Sequence, residues 1–172
     1  ATGIGFESTA AHYDPLTNLY VQQMNGVNSS CLIRVAFSVA DQATLGSIAR
    51  LTLNMKYDDG YSAFINGKFV GGRNNPASLS WNSRATTSHP DSQALIYDPL
   101  DISAAIPDLQ IGSNMLAIQG LNVSPGSSDF LIVPQITYTT GVANGVSQSA
   151  QVYNNPVALT SSGPVNARVL EN

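Results

Sequence analysis

The chain of 172 residues has few charged side chains: Lys, Arg, Asp and Glu make up only 10 % of it, against roughly 25 % in an average globular domain. Ser, Thr, Asn and Gly take the surface positions instead, which is typical of extracellular β proteins. The net charge is −4, and the basic residues are scattered from Arg34 to Arg168. Because neutralising phosphates takes a basic stripe, we expect no nucleic acid and no anionic membrane as partner.

Cysteine is almost absent as well. The single Cys31 excludes an internal disulfide and a cysteine-based zinc site, and its apolar neighbours indicate a small buried side chain. No apolar run is long enough for membrane insertion. The N-terminus lacks a signal-peptide pattern, so an extracellular or cell-surface location requires that a signal was removed or that the chain is one domain of a larger protein.

Signatures of an enzyme are also missing. There is no Gly-x-Ser-x-Gly elbow, no phosphate-cradling glycine loop and no histidine beside a candidate nucleophile. A glycosidase needs two facing carboxylates, but Glu7 and Glu171 lie near the chain ends. Asp58 and Asp59 are strand neighbours that should point to opposite faces. We expect no catalytic residues and no enzymatic activity.

What the sequence does contain is two-residue alternation of apolar and polar side chains. Residues 50–57 and 31–39 alternate in this way, and both ranges predict core strands. Asn66-Gly67, between residues 61–65 and 68–70, is the strongest short signal for a hairpin with a type I′ turn. Further strands are predicted at residues 94–97, 114–122 and 130–138, and short helices at residues 16–24 and 103–109.

Roughly six to nine short strands separated by turn-rich loops predict an all-β fold, a jelly-roll β-sandwich of two antiparallel sheets. The composition changes near Gly141, where a stretch rich in Gly, Ser and Asn is typical of a linker. We therefore divide the chain into a jelly-roll domain at residues 1–140 and a linker with a C-terminal strand segment at residues 141–172.

Four motifs in this order resemble one family. They are Tyr57-Asp-Asp-Gly-Tyr-Ser-Ala-Phe-Ile-Asn-Gly-Lys, Leu79-Ser-Trp-Asn-Ser-Arg-Ala, Gly112-Ser-Asn-Met-Leu-Ala-Ile-Gln-Gly-Leu-Asn and Ser127-Ser-Asp-Phe-Leu-Ile. Together they resemble the galactose-binding-domain-like jelly-roll module of large secreted bacterial proteins, found beside lamin-tail and spore-coat-kinase-like domains. More distantly, they are similar to the jelly rolls of β-galactosidases.

The resemblance covers residues 3–138 and implies a galactose-binding-like jelly roll. Modules of this kind bind glycans or pack against neighbouring domains of a parent protein, so the fold alone does not decide between the two. The tail resembles the start of a truncated chitobiase-type C-terminal β domain, whose Trp-containing last strand is absent.

Trp81, the only tryptophan, lies in a polar loop. An exposed indole is a platform for stacking on the apolar face of a sugar. The alternative is that the indole folds back and plugs one end of the core, which the family pattern favours by repeating it together with Ala85. The polar residues predicted to bind a ligand beside it are Arg73, Asn74, Asn75, Asn82 and Arg84.

Asp58 and Asp59 precede a glycine at the junction of two strands. Adjacent carboxylates there could donate oxygens to calcium, which takes about six to eight oxygen ligands, and Asp129 would meet them at the same end of the sandwich. Glu7 and Asp101 are weaker options. The alternative is that one aspartate caps the turn while the other faces solvent. A structural calcium ion at Asp58, Asp59 and Asp129 is thus one of two open expectations.

The combined prediction is a non-catalytic carbohydrate-binding module of a secreted or surface multidomain bacterial protein. Its partners would be a polysaccharide or glycan and the neighbouring domains of the parent protein. The alternative is a structural module that packs on those domains without glycan affinity.

Overall fold

A computed structural model describes residues 3–8, 13 and 16–141, without the side chain of Asn18. The strands that these residues form are β1 (Gly3–Glu7), β2 (Thr17–Tyr20), β3 (Ser30–Val39), β4 (Ile48–Asp58), β5 (Gly60–Ile65), β6 (Lys68–Arg73), β7 (Asp98–Asp101), β8 (Gly112–Leu121) and β9 (Asp129–Thr140). The helical segments are α1 (Gln42–Ser47), α2 (Asp91–Ala94) and two 3-10 helices, Gln22–Met24 and Ser103–Asp108. Within the described ranges, no helix has the length and apolar character needed to span a membrane.

The strands form two sheets. One has five strands in the order β2-β1-β9-β4-β7, and the other has four in the order β3-β8-β5-β6. β1 and β2 pair in parallel, whereas the other pairs run antiparallel. A cluster of buried apolar side chains fills the space between the sheets, with Phe6, Leu53 and Phe130 from one sheet and Ile33 and Ile118 from the other. The predicted all-β jelly-roll sandwich is confirmed.

β4 shows how the sequence forms this core. Leu51, Leu53, Met55 and Tyr57 all face the opposite sheet and are buried, as their two-residue spacing predicts. The alternate side of β4 therefore faces outward, and its last residue, Asp58, lies on the outer face of the five-stranded sheet.

The β5–β6 hairpin is confirmed. Asn66 and Gly67 both have positive φ, 49° and 86°, which is the backbone that a type I′ turn requires. Asn66 also donates from Nδ2 to the carbonyl of Asp108 and to Oδ1 of Asn114, each at 2.9 Å. The turn is thus bonded to the end of the second 3-10 helix and to β8.

β3 was predicted as a core strand, but it forms an edge of the four-stranded sheet. Ile33 and Val39 are buried as expected, whereas Val35 is exposed and Cys31 is only half-buried. An edge strand has a neighbour on one side only, so less of its inner face is covered.

Two local predictions were wrong. Residues 94–97 do not form a strand, because α2 ends there and Ala94 packs against Leu131 and Val133 on the outer face of β9. Residues 16–24 do not form one helix, because β2 pairs with β1 before the short 3-10 helix begins. In both places a tertiary contact overrides the local pattern. The helix predicted at residues 103–109 is present as the 3-10 helix Ser103–Asp108, and the predicted linker and strands of residues 142–172 lie outside the described residues.

The close packing of the two sheets at Gly120 can be tested. A Cβ atom there would lie 2.8 Å from Ile132 Cγ1 and 2.9 Å from Phe130 Cε2. We expect Gly120→Ala to lower the free energy of unfolding, measured by urea denaturation, by about 1–3 kcal/mol because of overpacking. Gly46→Ala in α1 is the control, since nothing lies within 4 Å of its Cβ position and alanine favours a helix. Equal destabilisation by both substitutions would contradict the prediction.

Candidate functional site

Trp81 lies in the long loop between β6 and α2. Its side chain is 74 % exposed, so the indole does not plug the core. Ala85 is the buried residue of this motif, and its N–H donates to the carbonyl of Asn122 at 3.0 Å. The loop therefore holds the indole in solvent while its following turn packs against the sandwich.

Side-chain hydrogen bonds fix the loop on both sides of the indole. Asn82 Oδ1 accepts from the backbone N–H groups of Ser29 and Ser30, at 2.8 and 3.1 Å. Gln119 Nε2 of β8 donates to the carbonyl of Ser80 at 2.7 Å. The loop is thus bonded to the start of β3 and to the outer side of β8. The name Trp81 surface is used below for residues 79–84 and the outer faces of β3 and β8 beside them.

Most of the polar residues predicted beside Trp81 have partners within the fold. Arg73 forms a two-point ion pair with Asp98, with Nε to Oδ2 at 2.7 Å and Nη2 to Oδ1 at 3.3 Å. Asn74 Nδ2 donates to the carbonyl of Asp59 at 2.8 Å, and Asn75 Nδ2 donates to the carbonyl of the following proline at 3.4 Å. These side chains, like Asn82, brace the loops. Arg84 is exposed and remains available to a ligand.

A second cluster lies on the outer face of the five-stranded sheet. Asp58 ends β4 and Asp129 begins β9, two neighbouring strands, and Asp91 begins α2 above them. One carboxylate oxygen from each of the three lies within 4.8 Å of the others. These residues line a cavity of about 310 Å³, which also includes Ser127 and Ser128 and is called the acidic pocket below.

Asp59, predicted to join Asp58 and Asp129, has a different role. Its Oδ1 accepts from the backbone N–H of His89 at 2.9 Å and its Oδ2 from that of Val123 at 2.8 Å. Asp59 therefore caps two loops, as the alternative interpretation expected of one aspartate. Its neighbour Asp58, however, does not face solvent, since it is only 2 % exposed.

Glu7 and Asp101, the two weaker candidates for a metal ligand, lie in different parts of the structure. Glu7 of β1 is the register partner of Asp129 and lies beside the acidic pocket. Asp101 of β7 forms an ion pair with Arg50 at 3.1 Å and accepts hydrogen bonds from Ser103. Asp101 is thus occupied elsewhere.

Asp91 was missed by the sequence analysis because residues 94–97 were interpreted as a strand and the residues before them as loop. The signal for it is Pro90-Asp91, a proline followed by an acidic residue at the start of a helix. Even with that signal, only the tertiary structure brings Asp91 over β4 and β9.

Burial dominates the electrostatics of the acidic pocket. Tyr13 donates its hydroxyl to Asp58 Oδ2 at 2.5 Å. Burial raises the pKa of Asp58 to about 8, and repulsion from Asp129 and Asp59 acts in the same direction. The hydrogen bond from Tyr13 lowers this pKa but does not offset the burial. Burial, with repulsion from Asp91 and Glu7, raises the pKa of Asp129 to about 6. Desolvation and the nearby carboxylates also raise the pKa of Tyr13.

Among the described residues, no Lys or Arg forms an ion pair with these carboxylates, and His89, which lines the same pocket, contacts the carbonyl of Tyr57 through Nδ1 at 2.9 Å. The three ion pairs among the described residues join other partners, Arg50 with Asp101, Lys68 with Asp108 and Arg73 with Asp98. Buried carboxylates without a cationic partner are neutralised by protons or by a bound cation. The acidic pocket can therefore act chemically as a proton-binding or a cation-binding site.

No protein-family model matches the chain, and a search of the curated proteins finds no match. Solved structures similar to it include the α-L-rhamnosidase of Streptomyces avermitilis complexed with L-rhamnose, with 16 % identity and a TM-score of 0.43. Another is the native α-L-rhamnosidase of Aspergillus terreus, with 19 % identity and a TM-score of 0.39.

The two structural matches cover 66 % and 65 % of this chain but only 9 % and 12 % of the rhamnosidase chains. The chain thus spans about a tenth of the length of those enzymes.

The raised pKa values predict how stability depends on pH in buffer containing EDTA. The folded pKa of about 8 for Asp58 and of about 6 for Asp129 exceed the roughly 3.9 of an unfolded chain. The contribution of such a group to the free energy of unfolding is fully present below about pH 4, and it is lost as the pH rises through the folded pKa. We expect the free energy of unfolding, measured by urea denaturation, to fall between about pH 5 and pH 8.

The matched variant is Asp58→Asn, whose amide oxygen can still accept the Tyr13 hydroxyl but cannot titrate. The fall in stability with pH should be smaller in this variant. Stability that rises over the same window, or a slope that the substitution leaves unchanged, would contradict the assignment.

Proposed function

We propose that this jelly roll is a non-catalytic carbohydrate-binding module of a secreted or cell-surface multidomain bacterial protein, of the galactose-binding-like kind. The observation that carries the proposal is the solvent-exposed Trp81 on a loop bonded to two strands. An indole stacks well on the C–H face of a sugar ring, and Trp81 is the most exposed of the large hydrophobic side chains among the described residues.

The bracing of the loop supports binding. Since Asn82 and Gln119 already hold the loop to β3 and β8, little conformational entropy would be lost when a ligand settles on the indole. The polar groups facing a sugar would then be those that the fold leaves unpaired, above all Arg84.

The proposal predicts that Trp81→Ala abolishes saturable glycan binding without unfolding the domain. The binding measurement is a glycan array followed by affinity electrophoresis, run with calcium and again with EDTA. Because the indole is exposed, the free energy of unfolding should change by no more than about 0.5 kcal/mol. Tyr138→Ala, which removes an exposed aromatic ring from β9, should leave binding intact.

An independent measurement is the tryptophan emission of the wild-type domain. Red-shifted emission that an aqueous quencher reduces, and that a bound glycan shifts, is the expected result. If Trp81→Ala instead lowers the free energy of unfolding by the roughly 3 to 5 kcal/mol of a buried aromatic, the indole is part of the core and the proposal fails.

We also propose that the acidic pocket holds a structural calcium ion. The chemistry of the donors fits: carboxylates are the oxygen ligands that calcium prefers, and those of Asp58, Asp91 and Asp129 converge without an ion pair to Lys or Arg among the described residues. Ser127 and Ser128 line the same cavity and offer further oxygens. When bound, the ion would supply the positive charge that the pocket lacks and join β4, β9 and α2.

Calcium should therefore raise the free energy of unfolding relative to EDTA, by about 2.7 kcal/mol at a concentration 100 times its Kd. Asp91→Asn should remove this gain, since Asp91 is the exposed member of the three and its loss spares the core. Asp108→Asn, which removes a carboxylate at a distant loop, should keep the gain. Equal stability of the wild-type domain in calcium and in EDTA would refute the metal while leaving glycan binding untouched.

A structural or interaction module is the second candidate function. The observation that favours it is the exposure of large apolar side chains on both edge strands of the four-stranded sheet, where Leu32 of β3 is 63 % and Phe69 of β6 is 56 % exposed. A neighbouring domain packed on this sheet would cover them. Absence of binding to every glycan, with or without calcium, would favour this role.

A further inference from the structure

The basic side chains of the described residues fall into two groups. Four of them have partners within the fold. Arg50, Lys68 and Arg73 form ion pairs with Asp101, Asp108 and Asp98, and Lys56 lies over the ring of Tyr97, with Nζ 4.9 Å from its centroid.

Arg34 and Arg84 form the second group. Both are exposed, and among the described residues neither has an ion pair, a side-chain hydrogen bond or a ring contact. A guanidinium is always charged and offers five N–H donors in a planar fork. These two forks are therefore free to bind a ligand.

Both arginines belong to the Trp81 surface. Arg84 follows Ser83, whose carbonyl accepts from Ser30 Oγ at the start of β3 at 2.7 Å. Arg34 lies further along β3, opposite Ala117 of β8. Along β3, Arg34 is two residues, or roughly 7 Å, from Leu32, and Leu32 lies opposite Gln119 of β8. Because Gln119 holds the loop at Ser80, the Trp81 loop lies beside the part of β3 and β8 that carries Arg34.

Acidic side chains are absent from this surface. Neither β3 nor β8 contains Asp or Glu, and neither do residues 79–87. The carboxylates of Asp58, Asp91 and Asp129 lie on the outer face of the other sheet. Although the whole chain carries a net charge of −4, residues 79–84, β3 and β8 thus contribute two positive charges and no negative one.

We infer that the Trp81 surface binds an anionic glycan, one that carries carboxylate or sulfate groups on its sugar rings. The inference rests on the proposed function, because the indole supplies the stacking platform and the arginines add the charge selectivity. Arg84 and Arg34 would each donate to an acidic group, the contact for which the guanidinium fork is suited. Two arginines are too few to neutralise a nucleic acid or a membrane, which takes a larger basic patch.

The test compares charged and uncharged forms of the same polymers by affinity electrophoresis and calorimetry. Polygalacturonate is set against its methyl-esterified form, and a sulfated galactan against its desulfated form. The wild-type domain should bind at least one charged form about tenfold more tightly than its neutral counterpart, and the difference should shrink with added salt. Which pair shows the difference identifies carboxylate or sulfate as the recognised group.

The variants are Arg84→Gln and Arg34→Gln, with Arg50→Gln as the matched control because Arg50 is exposed on the other sheet and already paired. Each test variant should weaken binding to the charged form about fivefold and so reduce the preference for the charged over the neutral form, whereas the Arg50→Gln control should change neither the affinity nor the preference. An equal loss in the Arg50→Gln variant would overturn the inference by showing attraction to overall charge.

The failures of the two proposals are distinguishable. Equal binding of charged and neutral forms, lost in Trp81→Ala but unaffected by the arginine variants, overturns the anionic ligand and keeps the carbohydrate-binding module. Absence of binding to all four polymers and to the glycan array overturns both and favours the interaction module.

Discussion

The burial of one face of each sheet against the other is the constraint on which the rest of the structure depends. Alternation along β4, β8 and β9 supplies apolar side chains at every second position, and the cluster between the sheets collects them. Polar and charged groups are consequently forced onto the outer faces and the loops. The two candidate sites lie on opposite outer faces for this reason: the acidic pocket on the five-stranded sheet and the Trp81 surface on the four-stranded sheet.

The low charge content is compensated by amide and carboxylate side chains that bond to the backbone. Asn82 holds the Trp81 loop to β3, Asn74 bonds to the carbonyl of Asp59, and Asn122 donates to the carbonyl of Asp129 at 2.9 Å. Asp59 caps two loops in the same way. Such bonds satisfy buried backbone groups, and they hold the loops in place for the residues between them.

The two surfaces also separate charge by sign. Uncompensated carboxylates gather in the acidic pocket, where burial favours a proton or a cation. Unpaired arginines lie on the Trp81 surface, where solvent exposure leaves them available to a ligand. A jelly roll that binds calcium on one face and an anionic glycan on the other would keep the two interactions chemically independent, so each can be removed by substitution without removing the other.

The sequence by itself determined β4, the β5–β6 hairpin, β8, β9 and the jelly-roll class, because two-residue alternation and the Asn66-Gly67 turn are local signals. It also predicted that Asp129 meets the end of β4. Only the tertiary structure decided which side chains meet in space. It separated Asp59 from Asp58, brought Asp91 over the sheet, exposed Trp81, and joined two arginines that are 50 residues apart in the chain on one surface. These outcomes depend on strand order and on loop hydrogen bonds between distant residues, which no local pattern encodes.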